Sequence, residues 1–266
     1  MKKKLVYTDL DGTLLDLKSY SFMQSIGAIE KLKSAGVPVI FCSSKTRKEQ
    51  EFYRESLDLN TPFIVENGSA IYIPKGYFSQ PIPYNTYQTK DYEVICLGKS
   101  VSKIRQLLLK RRQEFNLAFD IYEDLPAEEV SMITGLDMTS ARRAMQRDFS
   151  ETILRGETSQ QLYQSLEDEG LQSIPGSKFE TVMSKEADKG KAVTILTELY
   201  KAEYGTVESY GIGDSQNDAE MLASVEKAFL VQRPNGEWAD VENAFVKVVN
   251  GIGPKGWVKV VEQILK

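Results

Sequence analysis

Leu5-Val6-Tyr7-Thr8-Asp9-Leu10-Asp11-Gly12-Thr13-Leu14-Leu15 is the stretch on which the reading of this chain turns. Leu5 to Tyr7 is apolar and favours extended backbone, which suits a central strand buried on both faces. Asp9 and Asp11 stand two apart, so in an extended chain their side chains point to the same side. Gly12 permits a sharp turn where the strand stops. Open α/β sheets bind ligands at the carboxyl ends of their strands, where this pair of acids falls. Neighbouring carboxylates repel, and a hard cation such as Mg²⁺ resolves the repulsion.

The 266 residues are 41% hydrophobic and 27% charged, an ordinary globular composition with room for one large domain or two smaller ones. The net charge of −5 points to neither a nucleic-acid nor a membrane partner. Met1-Lys2-Lys3-Lys4 is basic, but the apolar run behind it is too short for a signal peptide or a span. Cys42 and Cys96 lie in apolar, strand-like runs and read as reduced core residues of a cytoplasmic protein. The chain has no histidine, which excludes Ser-His-Asp and Cys-His catalysis. Chemistry must come from carboxylates, lysine, hydroxyls or a bound metal.

Outward from the first stretch, Ser21 to Ser34 has apolar residues on one helical face, and Val37 to Cys42 reads as a second buried strand. A polar helix from Arg47 to Leu57 and a third core strand, Pro62 to Val65, follow. Ala70 to Ile73 and Val94 to Leu97 read as short strands, with Pro74 to Thr89 an irregular loop between them. This order predicts an α/β fold, a doubly wound parallel-sheet core. Residues 99–185 mix helices and strands without acids at strand ends, and read as an inserted α+β cap. The core then comprises residues 1–98 and 186–266.

Four pieces fall at ends of core elements: Asp9 with Asp11, Ser43 after the second strand, Lys189 opening a helix, and Gly213-Asp214-Ser215-Gln216-Asn217-Asp218 after another strand. The Ser43 hydroxyl and neighbouring amides, Ser44 included, can donate to phosphoryl oxygens. A lysine at a helix amino end adds a fixed cation to a dipole that favours anions. Each piece alone has an ordinary alternative: Ser43 a helix cap, Lys189 a solvated lysine, Asp214 an acidic turn, Asp218 a residue suited to a helix start. Their joint occurrence in order carries the argument.

Asp-Leu-Asp-Gly-Thr-Leu-Leu and the three later pieces resemble the motifs of the haloacid dehalogenase-like (HAD) phosphohydrolase superfamily, over nearly the whole chain. A cap between the second and third motifs resembles the Cof-like branch, whose caps serve sugar phosphates. Phe41-Cys42-Ser43-Ser44-Lys45-Thr46, Phe63 to Gly68, Arg147 to Glu151 and Gly253 to Trp257 resemble the mannosyl-3-phosphoglycerate phosphatase family. Gly176-Ser177-Lys178-Phe179-Glu180-Thr181 departs from that family, with lysine for an arginine and threonine for a histidine. Lysine keeps the charge but loses bidentate recognition.

The resemblance implies hydrolysis of a sugar-type phosphomonoester or glycosyl-phosphoglycerate through an aspartyl-phosphate. Asp9 would be the nucleophile and Asp11 the general acid/base. Ser43, Ser44, Lys189 and Asn217 would hold phosphate. Mg²⁺ would be held by Asp9, Asp11 (through its carbonyl) and Asp214, with Asp218 in support. Candidates to read the substrate are Glu66, Asn67, Arg147 and Lys178; Arg142 and Arg143 read as a solvated helix face. Rival readings are a close relative acting on glucosyl-3-phosphoglycerate or another sugar phosphate, a phosphomutase, a non-catalytic sugar-phosphate-binding module, and a phospho-acceptor signalling domain. The last is disfavoured by the cap.

Overall fold

The computed structural model describes residues 2–175, 178–241 and 245–266. From the amino end run β1 (Lys3–Thr8), α1 (Ile26–Ser34), β2 (Val39–Phe41), α2 (Arg47–Ser56), β3 (Phe63–Val65), β4 (Ala70–Pro74), β5 (Thr86–Gln88) and β6 (Tyr92–Cys96). An insertion follows: α3 (Val101–Glu114), β7 (Phe119–Ile121), α4 (Ala127–Thr134), α5 (Met138–Ala144), β8 (Ser150–Gly156), α6 (Gln160–Asp168), β9 (Leu171–Pro175) and β10 (Glu180–Ser184). The chain closes with α7 (Lys189–Tyr204), β11 (Val207–Gly213), α8 (Ala219–Ala223), β12 (Lys227–Gln232), β13 (Val246–Ile252) and α9 (Pro254–Ile264).

The central sheet has the order β13-β12-β11-β1-β2 and is parallel throughout. Alternation along β1 explains the two layers around it. Leu5 and Tyr7 pack with Val193, Leu196 and Tyr200 of α7. Val6 packs on the other side with α1 and α9, among Ile29, Leu32, Trp257 and Val261. Both faces of the sheet are therefore buried, as a doubly wound fold requires. The insertion forms its own antiparallel sheet, β7-β8-β10-β9. α3 and α6 cover one side through Ile104, Leu108 and Leu162. α4 and α5 cover the other through Val130, Ala141 and Ala144. Gly176 and Ser177 of the departing segment lie outside the described residues, as do residues 242–244 and Met1.

Several local expectations need correction. The first helix begins at Ile26, not Ser21, because the Ser25 hydroxyl donates to the Leu14 carbonyl (2.7 Å) and ties the preceding residues to the loop after β1. β3 does not join the central sheet as a full strand. One bridge, Cys42 to Ile64, links it there, while it pairs antiparallel with β4 in the sheet β3-β4-β6-β5. The left-handed residues Glu66, Asn67 and Gly68 reverse the chain at its end, so no crossover helix follows. The stretch read as a loop contains β5, which pairs with β6. Cys96 is exposed at the end of β6, whereas Cys42 is buried.

Gly68 lets this reversal approach α7. A Cβ there, at φ +90°, would stand 2.0 Å from the Asp188 carbonyl oxygen and 2.6 Å from the Lys189 nitrogen. Gly76 has a similar φ of +72° with nothing within 4 Å. Gly76→Ala should cost about 1 kcal/mol from backbone strain alone. Gly68→Ala adds a backbone collision and should cost more than about 3 kcal/mol. Urea midpoints compare the two; equal losses would refute the close approach.

Candidate active site

The carboxyl ends of β1 and β11 and the amino end of α7 bring four charged side chains together. Asp9 follows β1, Asp214 and Asp218 follow β11, and Lys189 opens α7. All four are buried. The Lys189 ammonium donates to Asp9 Oδ1 (2.8 Å) and Asp218 Oδ1 (2.7 Å). Burial opposes the charge on Lys189, but Asp218 and Asp9 outweigh it and hold the ammonium above its ordinary range. The other oxygen of Asp218 accepts the backbone N–H groups of Asp214 (3.0 Å) and Ser215 (3.2 Å). Asp218 thus fixes both the lysine and the turn that presents Asp214.

One carboxylate oxygen from each of Asp9, Asp214 and Asp218 lies within 4.8 Å of the others. Burial, offset by Lys189 and reinforced by Asp218 and Asp214, pushes Asp9 up to about 8. Burial together with Asp218 pushes Asp214 up to about 7. The Lys189 ammonium thus pairs with two of the three buried carboxylates and leaves Asp214 to the Thr13 hydroxyl. An oxygen-only donor set with excess negative charge fits a hard divalent cation. Thr13 donates to Asp214 Oδ1 (2.9 Å), and Gly12, at φ +80°, clears the carboxylate; a Cβ there would meet Asp214 Oδ2 at 2.8 Å.

Asp11 takes a different partner. Its side chain stands apart from the acid cluster, with Oδ2 3.0 Å from the ammonium of Lys45. Its other oxygen is buried without a hydrogen-bond partner among the described residues. Burial lifts Asp11 above the ordinary carboxylate range despite Lys45, as suits a group that donates a proton. Ser43 is buried beside them; its backbone N–H donates to the Ile64 carbonyl and its own carbonyl accepts from Asn67 N–H. Ser44 is partly buried next to it.

The remaining expected residues are placed unevenly. Asn67 is buried at the chain reversal, with φ +56° and an unpartnered Oδ1. Asn217 is exposed and accepts from the Ser215 hydroxyl (2.6 Å). Lys178 is exposed just before β10. Glu66 and Arg147, expected at the substrate rim, are engaged with each other and with the insertion. Glu66 is fully buried and accepts the N–H groups of Asp148 (2.8 Å) and Phe149 (3.1 Å) and the Ser150 hydroxyl. Arg147 donates to the Ser150 hydroxyl and lies 3.7 Å from Glu66. The pair clasps the root of the insertion to the core, because a buried carboxylate must find donors. Arg142 is exposed and Arg143 partly buried.

Three supporting residues escaped the sequence reading. Thr13 lies in the loop after β1 and carried no expected role. Trp257 donates from its indole N–H to Thr8 Oγ1 (2.9 Å), and Thr8 in turn donates to the Asp9 carbonyl (2.7 Å). Lys45, in Ser-Ser-Lys-Thr, carried no expected role, and the fold buries it against Asp11 and Glu49. Among the described residues no helix is long and apolar enough to cross a membrane.

Residues 6–238 match the family model of the haloacid dehalogenase-like hydrolases. A glucosyl-3-phosphoglycerate/mannosyl-3-phosphoglycerate phosphatase from Methanococcoides burtonii is 38% identical over 99% of this chain and 97% of its own. A mannosyl-3-phosphoglycerate phosphatase from Pyrococcus horikoshii is 43% identical over 86% of this chain and 90% of its own. Among solved structures, a HAD-superfamily phosphatase from Bacteroides thetaiotaomicron superimposes with a TM-score of 0.67 at 15% identity, covering 98% of this chain and 95% of its own. That last likeness is one of fold.

Lys189→Met removes the cation from between Asp9 and Asp218. Without added metal it should lower stability by about 3–5 kcal/mol, the usual cost of breaking a buried ion pair. Chemical denaturation measures this. A loss below about 1 kcal/mol would mean that the carboxylates do not depend on that ammonium.

Proposed function

This chain belongs to the haloacid dehalogenase-like hydrolases, and from that premise we propose that it hydrolyses a glycosyl-3-phosphoglycerate, mannosyl-3-phosphoglycerate first, to the glycosylglycerate and phosphate. The observation that carries the reading is the buried set Asp9, Lys189, Asp214 and Asp218 beside the separately held Asp11. The relatives named for these substrates support the substrate class.

In this reading Asp9 attacks phosphorus in line and becomes an aspartyl-phosphate. Lys189 orients Asp9 and favours its ionised form against burial, and its charge offsets that of the phosphoryl oxygens. The Ser43 hydroxyl and the Ser44 N–H donate to those oxygens. Asp11, lifted by burial, gives its proton to the leaving alkoxide and takes one from the water that cleaves the intermediate. Asp9, Asp214 and the Asp11 carbonyl would hold Mg²⁺, with Asp218 fixing the Asp214 turn. Mg²⁺, when bound, supplies charge neutralisation at the transferring phosphoryl group. Residues 99–185 act as a cap over the substrate, excluding water during transfer.

Phosphate release should be measured against mannosyl- and glucosyl-3-phosphoglycerate, sucrose 6-phosphate, hexose phosphates and an aryl phosphate, with Mg²⁺ present. Release from a glycosyl-phosphoglycerate should far exceed the others; an aryl phosphate cleaved as well as any would withdraw the substrate. Asp9→Asn should leave the fold intact and abolish turnover. Asp11→Asn should slow it by about 10²–10⁴-fold. Undiminished turnover by Asp9→Asn would overturn the covalent route. Mg²⁺ at a hundred times its dissociation constant should stabilise the protein by about 2.7 kcal/mol, read as a rise in thermal midpoint; no rise would count against the metal site.

A further inference from the structure

No role above falls to Gly253-Pro254-Lys255-Gly256-Trp257, although this segment touches the loop that carries both acids. Gly253 turns with φ +48°, and a Cβ on it would stand 3.1 Å from the Gly12 carbonyl oxygen. A Cβ on Gly256 would meet the Gly251 carbonyl oxygen at 2.4 Å and Val231 Cβ at 2.8 Å. Those close approaches seat the start of α9 against β12, β13 and the loop after β1. Pro254 opens the helix, and the Trp257 N–H closes its first turn on the Gly253 carbonyl (3.0 Å). Trp257 is fully buried, and its indole N–H reaches Thr8 Oγ1 (2.9 Å).

Thr8 is the last residue of β1 and is fully buried as well. The pairing of β1 with β11 ends at Thr8 and Ile212, and the next N–H, that of Asp9, goes to the Ile212 carbonyl (3.0 Å). Beyond it the Asp9–Leu10 peptide enters the turn, and its carbonyl accepts the Thr8 hydroxyl (2.7 Å). A hydroxyl has one proton, and an indole nitrogen only donates. With Trp257 donating to its oxygen, Thr8 has its proton left for the Asp9 carbonyl. The orientation of that peptide matters because it separates the two acids. On one side Asp9 turns to Lys189, and on the other Asp11 turns to Lys45.

We propose that Trp257 and Thr8 are positioning residues for phosphoryl transfer. Their relay of two hydrogen bonds holds the Asp9–Leu10 peptide, so that Asp9 meets phosphorus in line while Asp11 stays at the leaving oxygen. The inference rests on the phosphatase reading and extends it to the carboxyl-terminal helix. Both side chains are buried, so they act through Asp9 and not on a ligand. Such a relay governs the rate of transfer and not the affinity for the ester. A misaligned nucleophile loses its line of attack, while the groups that hold phosphate stay in place.

The test uses three variants. Thr8→Val keeps the shape of the side chain without its hydroxyl, Thr8→Ser keeps the hydroxyl, and Trp257→Phe keeps a ring without the N–H. kcat and KM are measured with Mg²⁺ and the phosphate ester that the wild type cleaves fastest, and urea melts give the folded fraction. Thr8→Val and Trp257→Phe should each lower kcat about 10-fold, the scale of one hydrogen bond. KM should change by less than about twofold. Thr8→Ser should keep most of the wild-type kcat. The Thr8→Val, Trp257→Phe double variant should lose little more than either single one, since both cut the same relay. A loss of stability with kcat per folded molecule intact would reduce the pair to packing and overturn the proposal. So would a serine variant no faster than the valine one, or a loss carried by KM. Should Thr8→Val fail to fold, Trp257→Phe decides by the same split between kcat and KM. A wild-type protein that cleaves no ester would overturn the phosphatase reading itself, and this inference with it.

Discussion

Lys189 sits between two carboxylates that come from opposite ends of the chain, and the architecture of the site follows from that burial. An ammonium out of water is tolerated only when anions surround it. Asp9 and Asp218 do so at 2.8 and 2.7 Å. The pairing demands that α7 begin where β1 and β11 end. Gly68 admits the Asp188–Lys189 backbone on one side, and Gly190 admits α8 on the other, where a Cβ would stand 2.4 Å from the Glu220 carbonyl oxygen. Asp188 caps the helix by accepting from Lys191 N–H (2.6 Å), so Lys189 lies at its first turn.

The same charge accounting extends to the insertion. Asp11 leans on Lys45, Lys45 on Glu49, and Glu49 closes the capping box of α2 with Thr46. The Thr46 hydroxyl then donates to the Arg143 carbonyl on α5 (2.9 Å). At the root of the insertion, Asp148 meets Arg47 (3.2 Å) and the Tyr72 hydroxyl (3.1 Å), while its N–H goes to Glu66. The insertion is therefore seated on the core through buried or half-buried polar contacts whose partners lie far apart in sequence. Such contacts hold an orientation well and cost much to leave unmatched.

The doubly wound core was legible because its signal is local. Apolar runs such as Leu5–Tyr7 and Val39–Cys42, separated by amphipathic stretches, can satisfy their backbone only as strands between helix layers. β3 misled because Pro62 to Val65 has the same apolar grain. Its partner is set by the reversal at Glu66, Asn67 and Gly68, whose positive φ angles no periodicity records. Cys96 misled likewise: an apolar neighbourhood does not tell which end of a strand is covered.

By itself the sequence determined the chemistry on offer: acids at the ends of β1 and β11, a lysine opening α7, a hydroxyl after β2, and no histidine. Those follow from residue types at element ends, which spacing reveals. Tertiary structure alone decided how they are shared. Two lysines divide the acids, Lys189 taking Asp9 and Asp218 while Lys45 takes Asp11. Glu66 and Arg147 meet across the seat of the insertion. The physical reason is that a buried charge takes whichever opposite charge the fold brings within reach, and that reach is a distance in space.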